Sequence, residues 1–145
     1  MKKLLVLPVL FLITACSFND LMDNDTSKVV KSELSQKSRY TINGCYDEIV
    51  EYKFDESRYK KIFYKDDSFT EVEKEINGDV EYVDALNITL YENSLILDCG
   101  VKYIDNDAIE LYCKNRDEES SYHVKRTLYP DKEDAIEHSD EDCNW

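Results

Sequence analysis

The stretch Cys99-Gly100-Val101-Lys102-Tyr103-Ile104-Asp105-Asn106-Asp107-Ala108-Ile109-Glu110-Leu111-Tyr112-Cys113 folds back on itself in a register that its own residues select. With the turn centred on Asn106, Tyr103 stands opposite Ile109, Val101 opposite Leu111 and Cys99 opposite Cys113, all on one side. Lys102 then faces Glu110 on the other side, an opposite-charge cross-strand pair. Apolar pairs, a charge pair and two cysteines agree on the same alignment. Directly opposed strand positions bring Cβ atoms within disulfide reach, so an antiparallel hairpin stapled by Cys99–Cys113 is expected.

The same period-two alternation extends in both directions. Tyr46, Val50, Tyr52 and Phe54 alternate with Asp47, Glu51 and Lys53, and Asp55-Glu56-Ser57 reads as a turn before a strand from Tyr59 to Lys65. A further strand is expected from Phe69 to Ile76, with Glu71, Glu73 and Glu75 on one face and Val72 and Ile76 on the other. Asn77-Gly78 is a strong hairpin signal, because both residues tolerate the left-handed backbone of a tight turn. Val80 to Val83, Ile88 to Tyr91, Leu95 to Ile104, Ala108 to Lys114 and Tyr122 to Tyr129 complete the series.

Short alternating strands separated by turns describe an all-β antiparallel meander. About eight strands are expected, closing into a small barrel or strongly curved sheet, with a possible short helix from Asp131 to His138 after Pro130. The inward stripe is expected to include Val50, Tyr52, Phe54, Phe63, Leu97, Val101, Tyr103, Ile109 and Leu111. Of these, Tyr52, Phe54 and Tyr103 are the candidate contacts to a bound small apolar molecule.

The beginning of the chain has a different character. Met1-Lys2-Lys3 is basic, Leu4 to Leu12 is a short apolar run and Ile13-Thr14-Ala15-Cys16 ends in small residues, the order of a secretory signal. The run is shorter than the roughly 20 apolar residues of a spanning helix. Ile13-Thr14-Ala15-Cys16 resembles the lipobox of bacterial lipoproteins. That resemblance implies cleavage before Cys16, palmitate or similar acyl chains on that cysteine, and membrane attachment. Ser17 in the next position implies sorting to the outer membrane, with the protein facing the periplasm. The expected organisation is a signal peptide over 1–15, a lipidated cysteine and flexible tether over 16–38, and a β domain over 39–145. Within the tether, a helical turn is expected around Val29 to Leu34.

The formal net charge of −14 becomes more negative once Lys2 and Lys3 leave with the signal. Such a surface repels nucleic acid and anionic lipid headgroups and would attract basic partners or cations, a solvated exterior being the first reading of that charge. Besides Cys16 the chain has Cys45, Cys99, Cys113 and Cys143, an even set that reads as disulfides in an exported protein. With Cys99–Cys113 fixed by the hairpin, Cys45–Cys143 remains. In an up-and-down barrel with an even strand count, the start of the first strand and the segment after the last lie side by side. No CxxC pair, GxSxG, HExxH or phosphate-cradling loop occurs, so neither a cofactor, a metal site nor an enzyme is expected. His123 reads as a strand residue, and the acidic run after His138 lacks the fixed ligands of a specific metal site.

Gly44 and Tyr46, Tyr52-Lys53-Phe54, Asn87-Ile88-Thr89-Leu90 and Val124-Lys125-Arg126 together resemble the lipocalin-like domains of small bacterial lipoproteins. That resemblance implies a barrel and leaves the ligand open. Cys99-Gly100-Val101-Lys102-Tyr103, followed by Tyr112-Cys113-Lys114-Asn115, is similar to a motif of periplasmic lysozyme inhibitors. In that family a serine and a lysine enter the lysozyme cleft. Cys99 replaces the serine here, so the likeness implies a partner contact through Lys114 and Tyr103 only. The leading expectation is a non-catalytic envelope module for a small apolar ligand or an envelope protein, with lysozyme inhibition as the alternative and an enzyme third.

Overall fold

The computed structural model describes residues 26–44, 47–118 and 124–139, with side chains from residue 31 onward. A helix α1 (Thr26–Ser35) precedes eight strands: β1 (Arg39–Asn43), β2 (Glu48–Phe54), β3 (Arg58–Tyr64), β4 (Val72–Asp84), β5 (Asn87–Glu92), β6 (Leu95–Tyr103), β7 (Ile109–Asn115) and β8 (Val124–Leu128). A short helix α2 (Lys132–Glu137) follows. Each strand pairs antiparallel with the next in chain order, giving one eight-stranded meander. The sheet curls until β1 meets β8, where Tyr40 and Tyr129 exchange two backbone hydrogen bonds of 2.9 and 2.7 Å. The result is a nearly closed barrel.

The β6–β7 hairpin has the expected register pair for pair, and Cys99 and Cys113 are bonded. Its turn holds Asn106 and Asp107 at φ of 59° and 60°, a left-handed conformation that short polar side chains tolerate. The expected C-terminal helix also forms. Asp131 caps it by accepting a 2.9 Å hydrogen bond from the Asp134 amide, and the His138 ring stacks on Tyr129.

The strand count of eight agrees with expectation through two opposite departures. Asn77-Gly78 makes no turn, because β4 runs unbroken through both residues and pairs them with Lys60 and Tyr59. Gly78 is there for space: a Cβ on it would lie 2.4 Å from both the Tyr59 ring and the Tyr91 carbonyl oxygen. Two expected strands are thus one. The extra strand is β1, whose inward side chains are Arg39, Thr41 and Asn43, opposite Tyr52, Val50 and Glu48. The alternation in that segment is inverted: Tyr40 and Ile42 face outward, toward the small core under α2, and the inner face is polar. Val72 also departs from expectation, standing exposed beyond a bulge that shifts the β3–β4 register after Phe63.

Tight connections close one end of the barrel, and α1 lies across it. Leu34 is fully buried in the core beneath the helix, so the end of the expected tether packs against the domain. Ion pairs Lys31–Glu56 (3.7 Å) and Lys37–Asp107 (3.4 Å) tie α1 and the residues after it to the β2–β3 and β6–β7 turns. Arg39 donates to the carbonyls of Asp107 and Glu33 there, and burial lowers its pKa from the ordinary arginine value. Outside the barrel, α2 seats Ala135 against Ile42, Phe69, Ala108 and Tyr129, a second small core. No helix among the described residues is long and apolar enough to cross a membrane.

Candidate functional site

The open end of the barrel contains a cavity of about 360 Å³. This falls within the roughly 300–1,000 Å³ range of small-ligand sites. An eight-stranded barrel is wide enough either to be filled by its own side chains or to hold one small molecule, and this one does some of each. Near the plugged end, the rings of Tyr52, Phe54 and Tyr59 stack in sequence with centroids 6.2 and 6.0 Å apart. Toward the mouth the inner walls are Val50, Phe63, Ile76, Leu90, Leu97 and Leu111. Alternation supplies them, since each strand sends every second residue inward.

Charged residues interrupt this apolar lining. Lys61 occupies the inward β3 position between Tyr59 and Phe63, and its ammonium donates to Glu92 Oε2 at 2.5 Å. Tyr59 donates its hydroxyl to the same oxygen at 2.6 Å. Burial acts to raise the Glu92 carboxyl, but the hydrogen bonds from Lys61 and Tyr59 and the lysine charge outweigh it, leaving the group below its ordinary value. Burial and the Glu92 carboxylate push the Tyr59 hydroxyl strongly up, so it stays a donor. The Lys61 ammonium also lies 5.9 Å from the Tyr52 and Tyr59 ring centroids, within cation–π range.

At the rim, Arg126 pairs with Glu48 at 3.4 Å, and the Lys74 ammonium sits 4.3 Å over the Phe63 ring. Leu95, 42% exposed, and the disulfide-bonded Cys113 complete that part of the lining. The arrangement can enclose an apolar body and meet a polar group at its mouth. The one carboxylate deep in it is already bound by a lysine and a tyrosine, and no group of three potential metal ligands occurs among the described residues.

The expected ligand contacts separate here. Tyr52 lines the cavity; Phe54 is buried in the stacked floor beyond it. Tyr103 does not belong to the inward core: it is 40% exposed at the far end of β6, near Arg39 and Glu33. It has the right alternation but lies past the level where the barrel wall encloses it. Lys114 is the penultimate residue of β7, paired opposite Asp98, and Cys99 to Tyr103 lie within β6. Cys16, Cys45, His123 and Cys143 lie outside the described residues.

The sequence reading missed Lys61, Lys74, Glu92 and Arg126 as lining residues. A signal existed for two of them. Tyr59-x-Lys61-x-Phe63 and Ile88-x-Leu90-x-Glu92 each place a charge on the same strand face as apolar neighbours.

Other buried carboxylates serve the outer wall. Glu51 accepts from Tyr64 at 2.6 Å and pairs with Lys53 at 3.2 Å, and Glu110 is held by Lys125 at 3.1 Å and by the Tyr112 hydroxyl. A groove of about 500 Å³ on the outer side of β2 to β4 is lined by charged residues including Lys53, Asp55, Arg58 and Glu75. It is a wide surface depression, not an enclosure. Comparisons with family models, with curated proteins and with solved structures return no significant match.

Proposed function

We propose that this chain is a non-catalytic binding module of the bacterial envelope, holding a small apolar ligand in the open end of its barrel. The observation that carries the reading is the cavity: among the described residues, a mostly apolar wall, an aromatic floor and a plugged far end bound a volume of about 360 Å³. Burying apolar ligand surface there is favourable by about 25 cal/mol per Å² removed from water. Polar groups near the mouth can orient the ligand without a reaction. The leader and the lipobox-like Ile13-Thr14-Ala15-Cys16 support attachment by lipid on Cys16, with the domain in the periplasm at the outer membrane. The lysozyme-inhibitor likeness gains nothing from the geometry, because its residues lie within paired strands and form no protruding loop.

The test is saturable binding of phenylnaphthylamine, a neutral apolar fluorophore, to the soluble chain. Leu97→Trp fills the cavity and should weaken binding by at least about tenfold, equivalent to ~1.4 kcal/mol, while the β circular dichroism persists. Wild-type protein that shows no saturable binding, or a folded Leu97→Trp variant that binds equally well, would overturn the proposal.

A further inference from the structure

Resting on the reading of the cavity as a ligand site, we infer that the ligand is a single-chain amphiphile with an anionic head. Its chain would occupy the cavity and its head would meet Lys74 at the mouth. Of the three cations in the lining, two are already neutralised: Lys61 by Glu92 at 2.5 Å and Arg126 by Glu48 at 3.4 Å. Lys74 differs. Its ammonium contacts the face of Phe63, and it forms no ion pair among the described residues. Of the neighbouring glutamates, Glu71 just before β4 pairs with Lys65 and Glu75 pairs with Lys60, while Glu73, the extra residue at the bulge, forms no ion pair among the described residues.

The register explains the placement. Lys74 pairs with Phe63 across β3 and β4, so both side chains project from the same face of the sheet. Phe63 forms wall, and Lys74 holds the exposed level just above it. The lining thus carries Lys61, Lys74 and Arg126 against Glu48 and Glu92, a positive excess on a chain whose formal charge is −14. An anion repelled by most of this surface meets a cation where the apolar volume begins. The volume of about 360 Å³ lies at the low end of small-ligand sites and suits one chain.

The experiment is calorimetric titration of the soluble chain with dodecanoate, dodecyl phosphate, dodecanol and dodecyltrimethylammonium, each below its micellar concentration. Wild-type protein should bind the two anions about two- to fivefold more tightly than the alcohol, the scale of one partly exposed charge pair. The cationic probe should bind most weakly. Lys74→Gln should erase the anion preference and leave the alcohol unchanged, and Lys74→Arg should restore it. The stronger of the two anions identifies whether the head is a carboxylate or a phosphate. Equal binding of anions and alcohol, or a preference that survives Lys74→Gln, overturns the headgroup inference while the apolar site stands. Failure of every probe to bind overturns both.

Discussion

Glu92 is held by two donors on one oxygen, Lys61 and Tyr59, beside the apolar part of the lining. Its carboxyl is depressed below the ordinary value of 4.5, so the charged form is favoured in the folded chain over the unfolded one. That stabilisation is fully present above the ordinary value and is lost as the pH falls through the depressed one. Glu92→Gln removes it and leaves Lys61 without its counter-charge. The variant should be less stable than wild type by about 1–3 kcal/mol at neutral pH, with the gap narrowing steadily below about pH 4.5. Urea denaturation across that range measures the gap; a gap that stays constant with pH would show that the carboxylate form is not the stabilising one. Such a residue was partly legible in the sequence. Its place on the Ile88-Leu90 face marked it as inward, but nothing in a single strand named Lys61 and Tyr59 as its partners, since that pairing depends on how far the sheet curls.

Strand β4 shows how one dipeptide supports two readings. Asn-Gly favours a tight turn, yet a glycine in a strand also lets another group approach the backbone closely. The structure takes the second course because Tyr59 needs the space over Gly78 to join the stacked floor. Gly78→Ala should therefore cost about 1–3 kcal/mol, the range for overpacking, read as a lower urea midpoint with unchanged slope. If β4 were two strands with a turn at Gly78, the alanine would instead alter the turn and leave Tyr59 alone. Near-ultraviolet dichroism from the tyrosines separates the cases. The β6–β7 hairpin was legible for the opposite reason: four pairs of different chemistry agreed on one register. β1 escaped because its two apolar residues, Tyr40 and Ile42, face outward toward α2 while Arg39, Thr41 and Asn43 face inward, so its short alternation runs opposite to that of the other strands.

For the whole molecule, the meander, its approximate strand number and the C-terminal helix follow from local patterns, whereas the cavity does not. A cavity is the volume left when eight curled strands fail to fill their interior, and no local pattern records that remainder. Charge and attachment act at the same scale. On the proposed anchoring, the full chain expressed in a bacterium should fractionate with membranes, and Cys16→Ser should release it or leave it unprocessed. Metabolic labelling with palmitate followed by fractionation checks this. Label retained by Cys16→Ser, or wild-type chain found only in the soluble fraction, would refute lipid attachment there.

The single bridge between Tyr40 and Tyr129 has a mechanical consequence. Seven neighbouring strand pairs are joined by ladders along their length, two of them with one local register shift, which hold backbones at about 4.8 Å. Between β1 and β8 that fixed spacing applies, among the described residues, at one point near the plugged end, and no ladder between them continues it toward the mouth. The girth of the barrel is therefore set by backbone around most of its circumference and by side chains along this one seam. A substitution along the seam changes the bore without breaking a ladder, so the space offered to a guest can be retuned from a strip of wall that need not touch it.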